Sequence, residues 1–234
     1  LIVIGLFAGL SYASISDSSS EQLLHSAELT FEQTSTLLEY RIKNIEYAAD
    51  QVMLNKELNY ILKKDSSELP IEELLEDYQA VKSMIVSAYN RSAMYRLNVY
   101  LNSFSLLRNS SKDYYMRDSS DLFSVKLIEE TEWYQMLRSQ NMRSLWTMDA
   151  VSLVKSEEQV VSYIRFIVDL QDYTQDLGVI KIDILQSELN EIVARANISA
   201  YSAAFLINSG GVIISCSGGS VPENMLAFAA ANYT

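Results

Sequence analysis

The sequence predicts an α+β fold in which a long amino-terminal helix is followed by an antiparallel sheet. Residues 18–64 contain neither glycine nor proline, and their apolar residues recur at helical spacing. From residue 95 onward, apolar and polar residues alternate in short segments, as they do in half-buried strands. Elements in this order favour an α+β architecture.

The chain begins with fifteen uncharged residues, 1–15, and no Lys or Arg occurs before Arg41. At about 1.5 Å per residue, this apolar run spans roughly 22 Å of a hydrocarbon core that is ~30 Å thick. The residues that follow are acidic, whereas cytoplasmic flanks of membrane helices are enriched in Lys and Arg. We therefore expect residues 1–16 to be part of a transmembrane helix, with the rest of the chain on the outer side. A signal peptide is the alternative interpretation.

The predicted long helix has one apolar stripe, formed by Leu24, Phe31, Leu38, Ile45 and Val52 at seven-residue intervals. A helix of roughly 45 residues is longer than ordinary globular helices and is typical of coiled coils or membrane-linked rods. The spacing is compatible with a homodimer, and packing of the stripe on a sheet is the alternative. We expect the middle and end of the helix to pack on the sheet and its beginning to meet a partner.

The remaining elements follow from local patterns. Pro70 suits the first turn of a second helix, which ends near residue 89. Alternation predicts strands at 95–101, 144–153, 160–170 and 178–185, and a hairpin over 203–216. Helices are predicted at 121–139 and 186–196. We interpret residues 17–197 as the long helix with one sheet lobe, and residues 198–234 as the beginning of a second lobe.

Composition excludes several classes of function. The net charge of −12 argues against nucleic acid, whose binding needs Lys and Arg to neutralise phosphates. A single cysteine excludes an internal disulfide and a cysteine-based zinc site. The only histidine, His25, lies on the long helix, so no histidine-based triad or metal cluster is expected in the sheet, and His25 should be functionally silent. We expect no enzyme activity, cofactor or metal in this region.

The order of elements resembles the double Cache (dCache) sensor region, a PAS-like extracytoplasmic module of bacterial receptors. The resemblance covers nearly the whole chain and rests on the apolar start with its long helix and on short motifs. These motifs are Trp133-Tyr134, Trp146 at the start of a strand, 161–165 (VSYIR), 178–183 (GVIKID) and 205–215 (FLINSGGVIIS). The layout is most similar to sensor histidine kinases of the YesM-like group.

This resemblance implies a two-component sensor in the bacterial cell membrane, with this region outside the cytoplasm. It implies a homodimer that binds a small-molecule ligand or a solute-binding protein, while the kinase would lie in another part of the receptor. A chemoreceptor or a cyclic-dinucleotide enzyme with the same outer module is the alternative among receptors. An envelope enzyme anchored by its amino terminus is the alternative from another class.

The resemblance also bears on the ligand. In the amino-acid-binding branch of these sensors, an Arg two positions before the Trp-Tyr pair holds the ligand carboxylate, and an Asp on the last strand holds its amine. Here Thr131 stands at the Arg position, whereas Asp183 stands at the Asp position. This departure favours a neutral polyol or saccharide over an amino acid.

Strand alternation and aromatic residues indicate where the ligand would bind. With 160–170 as a strand, Tyr163, Arg165 and Asp169 share the face that we expect to lie away from the long helix, and Asp183 on the next strand joins them. Aromatic rings suit a sugar ring or a cation. Core packing of the rings, a solvated charged face and an Arg165–Asp183 ion pair are the alternatives. The predicted ligand-binding residues are Trp133, Tyr134, Trp146, Arg165, Asp169 and Asp183.

Overall fold

The computed structural model describes residues 3–8, 17–64, 69–89, 94–102, 121–149, 159–197, 202–207 and 213–217. The helices are α1 (Asp17–Met53), α2 (Lys56–Lys63), α3 (Ile71–Ala88), α4 (Glu132–Ser139) and α5 (Gln186–Ala194). The strands are β1 (Val3–Ala8), β2 (Arg96–Leu101), β3 (Leu122–Ser124), β4 (Ser144–Asp149), β5 (Val160–Val168), β6 (Asp176–Leu185), β7 (Ser202–Ile207) and β8 (Ile213–Cys216). The predicted α+β class is confirmed.

The chain divides into two compact units. The first unit contains Leu1–Ile42 and Gln186–Thr234, and the second contains Lys43–Leu185. The predicted boundary at residue 197 stays a prediction. None of the described helices has both the length and the apolar character needed to cross a membrane.

The predicted long helix is two helices. Helix α1 is continuous over 37 residues, and Leu38, Ile45 and Val52 are buried along it, whereas Leu24 is exposed. The chain leaves the helix at residues 54–55 because Asn55 starts a new one, accepting hydrogen bonds at Oδ1 from the Glu57 and Leu58 amides (both 3.0 Å). Asparagine is among the best amino-terminal caps.

The second unit contains a five-stranded sheet in the order β3-β2-β6-β5-β4. All neighbouring strands are antiparallel except β2 and β3, which are parallel. The helix predicted over 121–139 is wrong in its first part, since residues 122–124 form β3 and a 3₁₀ turn follows at Val125–Leu127. Leu122 and Phe123 pair with Val99 and Tyr100, so edge pairing overrides the helical pattern.

Register defines the two faces of this sheet, because directly opposed residues of antiparallel strands point to the same side. Asp183 lies opposite both Arg96 and Ser162, and Lys181 lies opposite Asn98. We call their side the α4 face. The other side, which we call the α1 face, carries Tyr163, Arg165, Ile180 and Ile182.

The prediction that Arg165 of β5 lies away from α1 is therefore wrong. The prediction that Asp183 of β6 lies away from α1 is correct. Arg165 lies on the α1 face, where its Nη1 is 2.7 Å from Asp50 Oδ1 of α1, and Asp183 lies on the opposite side. Eight of the nine β5 positions are buried. Because both faces are covered, apolar content could not show which one meets the helix.

The first unit contains a three-stranded sheet in the order β1-β7-β8, with antiparallel pairing throughout. The predicted hairpin is present as β7 and β8, in which Phe205 pairs with Cys216. Val3–Ala8 is a strand rather than the predicted helix, and it pairs with β7. A short apolar run fits a buried strand as well as a helix, so periodicity alone does not separate the two.

Candidate ligand-binding site

The α4 face holds a buried cluster of charged side chains centred on Asp183, which has no exposed surface. Its Oδ2 accepts hydrogen bonds from Arg96 Nε (2.9 Å) and Nη2 (2.6 Å). Its Oδ1 accepts from Ser162 Oγ at 2.7 Å and from Lys181 Nζ. The carboxylate thus has four protein donors, which leaves Asp183 as a residue that orients two cations rather than one that bonds a ligand.

The surroundings of Asp183 and Arg96 favour the charged form of each side chain. Burial alone would raise the pKa of Asp183, but the charges of Lys181 and Arg96 and the bonds from Lys181 and Ser162 hold it below its usual value. Burial likewise opposes the charge of Arg96, but Asp183 raises the pKa of its guanidinium. Assembling ion pairs in such a buried environment costs free energy, because the charges lose their hydration. Breaking one pair also costs free energy, because the remaining charge has neither water nor a partner.

Aromatic side chains form a wall over this face. Tyr100 of β2 stacks on Phe123 with ring centroids 5.5 Å apart, and its ring centroid is 6.4 Å from that of Trp133 on α4. Trp133 meets Tyr134 edge to face at 6.1 Å. These rings pack with Ile164, Phe166 and Val179 from the α4 face in one apolar cluster.

Helix α4 is fixed over the sheet by Arg138. Its guanidinium lies 4.8 Å above the Phe166 ring and donates to the Tyr134 hydroxyl (3.1 Å). Its Nη1 also bonds to Asp176 Oδ2 at 2.7 Å. Thr131, at the start of the helix, donates its hydroxyl to the Ile128 carbonyl (2.7 Å). The wall is therefore held by packing, cation–π contact and an ion pair together.

Buried polar atoms on this face include some that have no hydrogen-bond partner within the part of the chain that the structure describes, and two of them belong to fully neutral side chains. These two atoms are Asn98 Oδ1 and Trp133 Nε1, and both residues are buried. Most buried polar groups in proteins are paired, so such atoms are expected where a ligand or water completes the site.

The structure divides the predicted site residues between different places. Trp133, Tyr134 and Asp183 belong to the α4 face. Trp146 lies on the α1 face with Arg165, since its ring centroid is 4.9 Å from that of Tyr163 and its Nε1 is 3.4 Å from Glu46 Oε1 of α1.

The sixth predicted residue, Asp169, lies beyond the end of β5. Its carboxylate pairs with Lys63 Nζ of α2 at 2.8 Å and accepts the Gln171 amide at 2.8 Å. The bond from Lys63 and that from the Gln171 amide lower the pKa of Asp169. Asp169 thus fixes the turn after β5 to α2.

Sequence reasoning missed Arg96, Asn98 and Ser162 as members of the site. A signal for the first two was present, because alternation along 95–101 places Leu97, Val99 and Leu101 on one side and Arg96, Asn98 and Tyr100 on the other. What the sequence did not show was the register that sets Arg96 opposite Asp183.

A separate cleft of about 750 Å³ lies between α2 and residues 170–171 and includes Lys56, Lys63 and Lys64 in its walls. Lys63 bonds to Asp169 and Gln171, and Lys64 bonds to Glu73 and Asp77. A ligand anion there would have to compete with these carboxylates for Lys63 and Lys64. The α4 face is the candidate site because it holds buried polar atoms without a partner among the described residues.

Neither a protein-family model nor the sequence of a curated protein matches the chain. Similar solved structures are ligand-binding or sensory domains of chemoreceptors. The Campylobacter jejuni Tlp3 domain with L-norvaline is 19% identical, with a TM-score of 0.47 over 90% of this chain and 79% of that chain. The Pseudomonas fluorescens CtaA domain with L-isoleucine is 19% identical, with a TM-score of 0.45 over 90% and 73%. The Pseudomonas aeruginosa amino acid chemoreceptor PctC domain with GABA is 19% identical, with a TM-score of 0.41 over 90% and 79%.

Proposed function

We propose that residues 43–185 are the ligand-sensing lobe of a membrane-bound bacterial receptor and bind a small solute directly on the α4 face, outside the cytoplasm. The proposal is carried by one observation. The α4 face contains buried polar atoms that have no hydrogen-bond partner among the described residues, and aromatic rings lie beside them. Pockets for small molecules combine apolar walls with a few convergent polar groups. The layout that resembles a double Cache region supports a homodimeric sensor histidine kinase as the whole receptor.

The arrangement favours a neutral saccharide or polyol. Thr131 supplies no cation where the amino-acid-binding branch of the resembling sensors has Arg, and its hydroxyl bonds to the Ile128 carbonyl. Asp183 is already saturated by Arg96, Lys181 and Ser162. The ammonium group of an amino acid would therefore find no free carboxylate among the described residues of this face, and a buried charge needs a partner.

Binding can be coupled to the long helix through strand β5. Its Ser162 side chain bonds within the α4 face, whereas its Arg165 side chain pairs with Asp50 of α1. On the neighbouring edge strand, Leu145 packs with the α4-face cluster and Trp146 approaches Glu46 of α1. A ligand that displaces β4 and β5 would thereby shift them against α1.

The test is calorimetric titration of the chain with saccharides, polyols and amino acids. We expect a saccharide or polyol to bind, and Trp133→Ala to weaken its affinity by about tenfold or more because a wall ring is lost. Trp146→Ala is the matched control, since that ring lies on the α1 face, and it should change affinity less than threefold (about 0.6 kcal/mol). Loss of binding in the control but not in Trp133→Ala would contradict the proposal.

Arg165→Gln should separate signalling from binding. Arg165 and Asp50 are 26% and 38% exposed, so their ion pair contributes about 0–1 kcal/mol to stability. We expect ligand affinity and fold to be retained, while the signalling output of the full receptor responds less to ligand. Asp50→Asn should reproduce this effect. Normal output in both variants would show that the contact does not transmit the signal.

His25→Ala should leave output unchanged, because the side chain is 74% exposed and its nearest described acid, Glu28, is 4.0 Å away. Signalling assays at equal expression of wild type and variant check this expectation. Loss of output would assign the amino-terminal half of α1 a direct role.

A further inference from the structure

Asn98 and Trp133 border the same part of the α4 face. Asn98 and Tyr100 are two positions apart on β2, so their side chains share a side of the sheet. The ring of Trp133 lies 6.4 Å from that of Tyr100 between centroids. An acceptor, Asn98 Oδ1, and a donor, Trp133 Nε1, thus lie beside the same aromatic wall, and neither has a partner among the residues that the structure describes.

Both side chains are more than nine-tenths buried, with 4% of Asn98 and 6% of Trp133 exposed. Asn59, in the same unit, serves as a comparison because its side chain has a structural role. It is 5% exposed, yet its Nδ2 donates to the Val168 carbonyl (2.8 Å) and its Oδ1 accepts from the Leu170 amide (3.2 Å). Asn98 is equally buried, but its Oδ1 has no hydrogen-bond partner among the described residues.

We propose that Asn98 and Trp133 are specificity-determining residues that bind hydroxyl groups of the ligand. The inference rests on the proposed function and names the chemistry of its site. Ligand hydroxyls would donate to Asn98 Oδ1 and accept from Trp133 Nε1.

A hydroxyl suits these two atoms because it both donates and accepts. A carboxylate only accepts and an ammonium group only donates. An amino acid could therefore pair with both atoms only by burying its ammonium charge without a free carboxylate, since Asp183 already has four donors. The Tyr100 and Trp133 rings offer the apolar surface on which the C–H groups of a sugar pack. A polyhydroxylated, uncharged ligand therefore matches both unpaired atoms and the wall, without a charged partner from Asp183.

The first test needs no ligand and compares Asn98→Leu with Asn59→Leu by thermal unfolding of the chain. Removing an unpaired buried oxygen should leave the Tm unchanged or raise it. Removing the paired Asn59 should lower the Tm by about 2–6 °C, because two backbone groups lose their partner. An equal fall in both variants would show that Asn98 is structural, which overturns the inference.

The second test titrates wild type, Asn98→Leu and Trp133→Phe with glucose, maltose and myo-inositol, and with valine and glutamate as the charged set. Trp133→Phe keeps one aromatic ring and removes the indole N–H donor together with part of the ring surface, so it tests the site if Asn98→Leu does not fold. We expect a hydroxylated probe to bind wild type, and each substitution to weaken it about tenfold or more.

The possible failures are distinguishable. Binding that ignores both substitutions overturns the assignment of Asn98 and Trp133 and leaves direct sensing standing. Binding of the charged set alone overturns the hydroxyl class and likewise leaves sensing standing. Absence of binding by every probe contradicts the hydroxyl class and direct sensing together.

Discussion

Replacing Asp183 with Ala should destabilise the second unit by about 3–5 kcal/mol, because the change leaves two buried cations without their carboxylate. Arg96 and Lys181 are 4% and 2% exposed, so water cannot take over the lost hydrogen bonds. An Asp that only bonded a ligand could, by contrast, be removed with loss of affinity alone. Urea unfolding of wild type and variant measures the effect.

Asp172→Asn is a suitable control, since that carboxylate lies in an exposed turn and bonds only to Thr174 among the described residues. It should lower stability far less than Asp183→Ala does, because water can replace the bonds that an exposed carboxylate loses. An Asp183→Ala variant as stable as this control would show that the cluster is not charged in the folded protein.

The cluster also predicts how stability depends on pH. The pKa of Asp183 is lowered in the folded state, so its contribution to stability is complete above the unfolded pKa of about 3.9 and is lost as the pH falls through the folded value. Wild type should therefore lose stability more steeply below about pH 4 than Asp183→Asn does. Equal slopes for the two proteins would contradict this assignment.

Gly178→Ala should be the other strongly destabilising change. A Cβ at this position of β6 would lie 2.4 Å from the backbone oxygen of Tyr100 and 3.1 Å from Leu101 Cδ2. Because the nearer atom belongs to the backbone of β2, relief requires the strands to move, and overpacking of this kind costs about 1–3 kcal/mol.

The same displacement would move Tyr100, so ligand affinity should fall along with stability. Thermal unfolding and ligand titration of one variant preparation measure both effects. An unchanged Tm would mean that β2 and β6 are further apart than this packing requires.

The sequence predicted the fold class and most elements because these depend on local patterns. The absence of Gly and Pro predicted a long helix, and alternation located β2, β5, β6 and the hairpin. It did not reveal the break at Asn55, since asparagine also occurs within helices and its capping bonds are visible only in the structure.

The site was harder to predict because it depends on register. Arg96 and Asp183 are separated by 87 positions in the sequence, and nothing local indicates that they face each other. The face of β5 was reversed because both of its sides are buried, so hydrophobicity carried no information about direction. The face of β6 was predicted correctly because Ile180 and Ile182 mark the side that meets α1. Ligand binding by Trp133, Tyr134 and Asp183 stays a prediction.

The central claim is that ligand binds on the α4 face, and the two tryptophans allow a direct test of it. The chain contains only Trp133 and Trp146, which lie on opposite faces of the sheet, so an indole ¹H–¹⁵N spectrum reports each face with one signal. Trp133→Phe and Trp146→Phe assign the two signals. On titration with a ligand that calorimetry shows to bind, we expect the Trp133 signal to shift most and to saturate with the binding curve. A Trp133 signal that stays fixed while the Trp146 signal moves would place the ligand on the other face and contradict the claim.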